Sequence, residues 1–136
     1  MSGYEILEHT ADVGLRATGA TIEECFEQAT RGLAYIAGID RPGAGERIDI
    51  LLESDDLGAL LVDWLSEVLY LHDARDALLA GVEISEVAGG RVSGSVTLTP
   101  RAEEAVEGTQ VKAVTYHKLR IGRTPGGFLA EVYLDV

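Results

Sequence analysis

Two aspartates near opposite ends of the chain are the residues best suited to bind a cation. Asp12 follows a polar stretch that begins at Glu8, and Asp135 is the penultimate residue. If Val136 is the true terminus, its α-carboxylate lies one residue from the Asp135 side chain. Hard cations such as Ca²⁺, Mg²⁺ and Mn²⁺ prefer carboxylate oxygens of this kind. Asp12, Asp135 and the carboxylate of Val136 are therefore a candidate metal site, provided that the fold brings Asp12 to the last strand.

Two histidines and a lysine leave other interpretations open. His9 and His117 could join Asp12 and Asp135 in a two-His, two-carboxylate site for Zn²⁺ or Mn²⁺, although nothing in the spacing forces the four together. Lys112 lies on an alternating stretch, where it is either half-buried beside an anionic partner or extended into solvent. The chain contains no GxxxxGK[ST], HExxH, CxxC or GxSxG pattern, so no standard catalytic signature accompanies these residues.

The charge balance restricts the class of partner. The 136 residues carry 23 acidic and 11 basic side chains, a formal net charge of −12. Such a field repels phosphate backbones, so we expect contact with RNA only through a partner protein, whose basic surface the chain would bind. One cysteine, Cys25, excludes an internal disulfide. With no signal-peptide pattern and no apolar run long enough to span a membrane, the sequence favours a cytoplasmic protein with no membrane partner.

Two segments that position these residues have helical periodicity. The first begins at Thr21, where Thr21 and Glu24 form a capping-box pattern, and ends at Gly38. The second begins near Ser54, followed by Asp55 and Asp56 at the positive end of the helix dipole. Its wide apolar stripe predicts packing against a sheet, or less favourably a groove for a partner. The stripe comprises Leu57, Leu60, Leu61, Trp64, Leu65, Val68 and Leu69.

The remaining segments alternate as strands do. A hairpin is predicted around Gly89-Gly90, a long strand over 111–123 and a last strand over 128–136. In the last strand Leu129, Glu131, Tyr133 and Asp135 share one face. The predicted order is β-β-α-β-α-β-β-β-β, so we expect one α+β domain over 1–136. Its sheets, of about seven strands, should be largely antiparallel, with two amphipathic helices packed on them.

Three of these stretches together resemble the archease family. They are Glu8-His9-Thr10-Ala11-Asp12-Val13-Gly14, Lys112-Ala113-Val114-Thr115-Tyr116-His117 and the ending Leu134-Asp135-Val136. The likeness runs essentially from end to end.

The resemblance implies an accessory protein rather than an enzyme. Archeases activate the RtcB-type RNA ligase of tRNA splicing, promoting its guanylylation and multiple turnover. By motif, the family's divalent-metal ligands correspond to Asp12, Asp135 and the carboxylate of Val136, with Ca²⁺ expected ahead of Mg²⁺ and Mn²⁺, and its functional lysine corresponds to Lys112. His9 and His117 lie within the motifs, and the resemblance leaves a direct role for them open. Two alternatives remain, a stand-alone metal-dependent phosphoesterase and a scaffold that needs no metal.

Overall fold

The computed structural model describes residues 2–8, 12–103 and 107–136, with only the backbone of Glu8. The described elements follow the predicted order. They are β1 (Gly3–Glu8), β2 (Asp12–Gly19), α1 (Ile22–Ala37), β3 (Glu46–Glu53), α2 (Leu57–Arg75), β4 (Ala77–Ala88), β5 (Arg91–Pro100), β6 (Ala113–Thr124) and β7 (Gly127–Asp135).

The strands form two antiparallel sheets. Sheet A has four strands in the order β1-β2-β7-β6, and sheet B has three in the order β3-β5-β4. The last strand of sheet A, β7, therefore lies between β2 and β6 rather than at an edge. The prediction of an α+β domain with antiparallel sheets is confirmed.

Both helices lie between the two sheets. α1 packs on β1, β2 and β7 of sheet A and on β4 of sheet B, while α2 packs on β6 and on all three strands of sheet B. One core joins the layers, with Leu15, Phe26, Trp64 and Val96 fully buried. This arrangement explains why α2 is apolar over most of its surface, since two sheets cover it. No helix in the described part of the chain is long and apolar enough to cross a membrane.

The helix starts show one confirmed and one wrong prediction. Thr21 caps α1 by accepting a hydrogen bond from the Glu24 N–H at 3.1 Å, and Gly38 ends it at φ 73°. The cap of α2 is Asp56, which accepts from the Ala59 N–H at 3.0 Å, so the helix begins later than Ser54. The Ser54 hydroxyl instead accepts from the Asp56 N–H at 3.4 Å and shapes the turn before the cap.

Candidate metal centre

The strand register of sheet A brings the two predicted aspartates together. Asp12, the first residue of β2, lies directly opposite Asp135, the last residue of β7. Ala113 of β6 lies opposite Asp135 on the other side. Directly paired residues of antiparallel strands project to the same face with their Cβ atoms about 5 Å apart. Two carboxylates from remote parts of the chain thus share one corner of the sheet.

Lys112 joins this corner through its backbone. Its N–H donates a hydrogen bond to the carbonyl oxygen of Asp135 at 2.7 Å. The residue lies one position before β6 and is exposed. Of the two interpretations of Lys112, the structure supports the one in which it extends into solvent. The backbone of Lys112 thus lies beside the aspartate pair, and its side chain is open to solvent.

The paired aspartates favour a bound cation. Like charges directly opposite one another destabilise a strand pair, and a divalent ion removes that repulsion. Asp135 is exposed and Asp12 is half-buried, so solvent reaches the corner. The half-buried Val136 packs against the core.

The donor set fits a hard cation but does not enclose it. In residues 2–8, 12–103 and 107–136, no three His, Cys, Asp or Glu side chains form a metal-binding group. Among the described residues, the side-chain oxygen donors at this corner are therefore the carboxylates of Asp12 and Asp135. A Ca²⁺ ion takes six to eight oxygens, so an ion held here would need further oxygen donors beyond these two carboxylates.

The histidines do not complete this site within the described residues. His117 lies in β6 with its ring 6.2 Å from the Tyr133 ring, in an edge-on arrangement, and it forms no three-residue metal group with Asp12 and Asp135. His9 falls outside the described residues, as do Thr10 and Ala11. The two-His, two-carboxylate hypothesis therefore gains no support from His117.

Tyr133 is a neighbour of the site that the sequence did not single out. It lies two residues before Asp135 on the same face, yet it is only 7% exposed. The ring fits because Gly14 lies opposite, where a Cβ would come within 2.7 Å of the Tyr133 Cε2 atom. The glycine in the Asp12-Val13-Gly14 stretch was the available signal, since a glycine within a strand often marks a close approach.

A bulge in β6 covers the other side of Tyr133. Thr115 pairs with Tyr133 and Arg120 with Glu131, so the four residues 116–119 oppose only Val132. Lys118 adopts φ 54° within this bulge and places its Nζ 5.8 Å from the centre of the Tyr133 ring. The Thr115 hydroxyl donates to the Tyr133 carbonyl at 2.9 Å. These contacts hold the strand ends beside Asp135 in a defined position.

An ion-pair row crosses all four strands beyond Tyr133. Arg16 donates to Glu131 at 2.7 and 2.9 Å and to Glu5 at 3.0 Å, while Arg120 lies 3.2 Å from the second oxygen of Glu131. The hydrogen bond to Glu131 is the main cause that raises the pKa of the Arg16 guanidinium, followed by the one to Glu5. Glu131 itself is only 7% exposed. The outward face of sheet A is therefore tied together next to the aspartate pair.

Comparison with known proteins decides the family. The sequence profile of the Archease protein family (MTH1598/TM1083) matches residues 4–136. The chain belongs to the archease family. It is 36% identical to the protein archease of Methanosarcina mazei, over 98% of this chain and 95% of that protein. It is also 36% identical to the protein archease of Pyrococcus furiosus, over the whole of both.

Solved structures agree with this assignment. Protein 1598 of Methanobacterium thermoautotrophicum has a TM-score of 0.82 and 32% identity, covering 98% of this chain and 99% of that one. The archease of Thermotoga maritima, called a possible chaperone, has a TM-score of 0.66 over 97% of this chain and 96% of that one. Its 22% identity shows the fold alone. The names of these proteins describe no catalytic activity.

Proposed function

We propose that this protein is a metal-binding accessory protein that activates an RtcB-type RNA ligase in tRNA splicing or RNA repair. The observation that carries the proposal is the pairing of Asp12 with Asp135, which gathers both carboxylates and Lys112 at one exposed corner of sheet A. These are the residues that the archease resemblance assigns to function. The name possible chaperone, used for the Thermotoga maritima archease, also agrees with action on a partner protein.

The chemistry of the corner suits contact with a nucleotide. Asp12 and Asp135 would hold a divalent cation, with Ca²⁺ first and Mg²⁺ or Mn²⁺ as substitutes, and the carboxylate of Val136 would add a third anionic donor. When bound, such an ion supplies positive charge that stabilises phosphate oxygens. Lys112 places a second positive charge at the same corner, where it would neutralise phosphate charge while the ligase is guanylylated.

The partner's surface follows from the charge of the chain. With a net charge of −12, this protein would associate fastest with a basic surface, and basic surfaces line RNA-binding clefts. The ligase would bring the RNA, and this chain would approach the ligase with its exposed corner. A cytoplasmic location belongs to the same proposal.

Ligase turnover tests the proposal directly. The ligase from the same source is supplied with excess RNA, and product is counted per ligase molecule with and without this protein. We expect Asp12→Asn, Asp135→Asn and Lys112→Ala each to reduce the stimulation by at least about tenfold. The aspartate variants weaken the hold on the cation, and the lysine variant removes a positive charge that would neutralise the phosphates. Asp49→Asn is the matched control, since Asp49 is an exposed carboxylate on β3 of the other sheet.

Two outcomes would count against the proposal. If all three variants fold and stimulate like the wild type, this corner does not act on the ligase. If the wild type, after chelation of metal, still stimulates fully, a scaffold without functional metal is the better description. Hydrolysis of phosphoesters by the purified protein in the absence of ligase would favour the stand-alone phosphoesterase instead.

Calcium binding by calorimetry tests the metal site separately from the ligase. We expect Asp12→Asn and Asp135→Asn to weaken calcium binding by at least about tenfold, since each removes an anionic ligand. A protein extended beyond Val136 should also bind more weakly, because the α-carboxylate becomes a neutral amide. Unchanged affinity in the extended protein would remove Val136 from the ligand set while leaving the aspartates in place.

A further inference from the structure

Positive charge is concentrated on one strand of an otherwise acidic protein. Residues 108–130 contain no Asp or Glu, but they contain both lysines of the chain and two of its nine arginines. This segment carries +4 and the remaining residues carry −16, which together give the net charge of −12. The four cations are Lys112, Lys118, Arg120 and Arg123, and we call residues 112–124 the basic strip.

The basic strip follows an open sheet edge. β6 is one of the two outer strands of sheet A, and among the described residues β7 is the strand that pairs with it. Alternate residues of a strand project to opposite faces. Arg120 accordingly projects to the outward face, where it meets Glu131, while Arg123 lies over the Phe128 ring at 5.1 Å on the other side. Cations therefore flank both sides of the edge.

A groove of about 440 Å³ runs between this edge and the start of α2. Arg120, Arg123 and Thr124 line one side, and Gly58 lines the other. Its acidic lining residue is Asp56, whose carboxylate is engaged as the cap of α2. The groove thus offers the Arg123 guanidinium and the Thr124 hydroxyl beside the positive end of a helix, while the Arg120 guanidinium is paired with Glu131 on the outward face.

Exposed rings accompany the cations in the β6 bulge. Tyr116 is 58% exposed, and His117 beside it is also exposed. A ring with a free face can stack on a nucleic-acid base, and such stacking tolerates any base sequence. Cations along an edge together with free aromatic rings are the features of single-strand binding surfaces, whereas an acidic polypeptide would make no use of the rings.

We propose that the basic strip binds the phosphate backbone of single-stranded RNA. Lys118 and Arg123 contact phosphates on the two sides of the β6 edge, and Tyr116 stacks on a base. Binding is not sequence-specific, because no base edge is read. Lys112 begins the strip beside the Asp12–Asp135 corner, and the proposed RNA contacts of Tyr116, Lys118 and Arg123 lie further along β6.

Salt screening explains how an acidic protein can hold a polyanion. At an ionic strength of 0.15 M, charges interact over about 8 Å. Because of its bulge, β6 runs alongside only the 9 residues of β7, which extend over about 30 Å at about 3.3 Å per residue. RNA lying along the edge therefore interacts mainly with the strip, while most of the acidic surface is screened. Because the acidic remainder still opposes approach, we expect a dissociation constant near the weak limit of non-specific binding, about 10⁻⁴ M.

The test is an NMR titration of the isotope-labelled full chain with a short oligouridylate. The titration contains chelator and no ligase, at about 0.1 M salt, so it is independent of the proposed ligase function. We expect the amide shifts that change to lie in residues 113–124. The variant Lys118→Gln/Arg123→Gln should bind at least about fivefold more weakly, because it removes two of the phosphate contacts.

A matched variant controls for net charge. Arg47→Gln/Arg91→Gln changes the total charge by the same amount, but it alters two exposed arginines of sheet B. This control should bind like the wild type, and its dispersed spectrum confirms folding. The proposal is overturned if no amide shifts at about 1 mM oligonucleotide, or if the control weakens binding as much as the strip variant. Equal binding of a polyglutamate peptide at the strip would also overturn it and identify a surface for acidic polypeptides.

Discussion

Sheets A and B enclose the same pair of helices, yet their outward faces differ. On sheet A, Glu131 and Tyr133 are both only 7% exposed although they point away from the core. On sheet B, the ion pair between Arg47 and Asp49 has both side chains largely exposed. Sheet A therefore has packed side chains on both its inner and its outward face, whereas the side chains of sheet B are packed mainly on its inner face. The layer that bears the aspartate pair is the one whose surface is held in place before any partner binds, which lowers the cost of ordering it on binding.

The sheet edges show the same division. The edge of β4 in sheet B is closed by α1, because Glu27 accepts a hydrogen bond from the Ile84 N–H and Glu23 accepts one from the Val87 N–H, both at 3.0 Å. The edge of β6 in sheet A carries the basic strip instead. A protein must protect exposed edges against unwanted pairing. Of the outer strands β1, β6, β3 and β4, β4 is covered by carboxylates whereas β6 is irregular and positively charged, which leaves the β6 edge open to a different kind of partner.

The largest expected effect concerns the inner side of sheet A. Burial raises the pKa of the Cys25 thiol to about 11, and its Sγ lies 3.6 Å from the Ala17 carbonyl of β2. Two pKa units above the ordinary value of 9.0 reduce the thiolate fraction at pH 8 about 100-fold. Alkylation of the native protein should be at least that much slower than alkylation in urea. Similar rates would mean that α1 separates readily from sheet A.

The same thiol predicts how stability depends on pH. Because the folded pKa is raised above the unfolded value, the unfolded state loses its proton first as the pH rises. The thiol's contribution is therefore fully present below about pH 9 and is lost as the pH rises through about 11. Urea unfolding of the wild type and of Cys25→Ala at pH 8 and pH 10.5 measures this contribution. If the wild type and Cys25→Ala lose the same free energy of unfolding between pH 8 and pH 10.5, the thiol does not contribute in this way.

The next effect tests whether the outward face of sheet A is locked. Glu131→Gln keeps the side-chain volume but removes the charge that Arg16 and Arg120 share, so we expect a loss of about 2 kcal/mol in the free energy of unfolding. Asp49→Asn on sheet B should change it by less than about 0.5 kcal/mol, because that ion pair is exposed. Urea denaturation gives both values. Equal losses would show that the two outward faces do not differ.

The smallest effect concerns the closed edge of sheet B. Glu27→Ala leaves the partly buried Ile84 N–H without its acceptor and should cost about 1 kcal/mol. Glu23→Ala/Glu27→Ala should also uncover the edge of β4, and we expect weak self-association at high concentration. Analytical ultracentrifugation of the double variant checks for self-association. For the single variants Glu23→Ala and Glu27→Ala, the control is Glu67→Ala on α2, which removes the same charge from a helix. A double variant that remains monomeric would show that the carboxylates do not guard the edge.

Local patterns were sufficient to predict the elements. Thr21 and Glu24 marked the start of α1, and the alternation of β7 correctly placed Glu131, Tyr133 and Asp135 on one face. The start of α2 was predicted too early because Ser54, Asp55 and Asp56 are all good capping residues. Only the backbone geometry shows that Asp56 takes that role.

The pairing of the strands could not be obtained in the same way. Alternation tells which side chains share a face, but it does not name the strand that pairs with it or the register. The carboxylates made Asp12 and Asp135 candidates and the family resemblance strengthened that prediction, but only the tertiary structure shows that the two residues lie opposite each other. The β6 bulge was also missed, because Lys118 has a positive φ that glycine more often adopts. The net charge of −12 also gave no indication that residues 108–130 carry a charge of +4.

The central place of β7 in sheet A has a consequence for biosynthesis. β7 follows all other described strands in the sequence, yet β2 and β6 meet only through it. During synthesis on the ribosome, Asp12 emerges more than a hundred residues before Asp135. The pairing of these two residues can therefore form only at the end of translation. A prematurely released copy would lack the aspartate pair altogether.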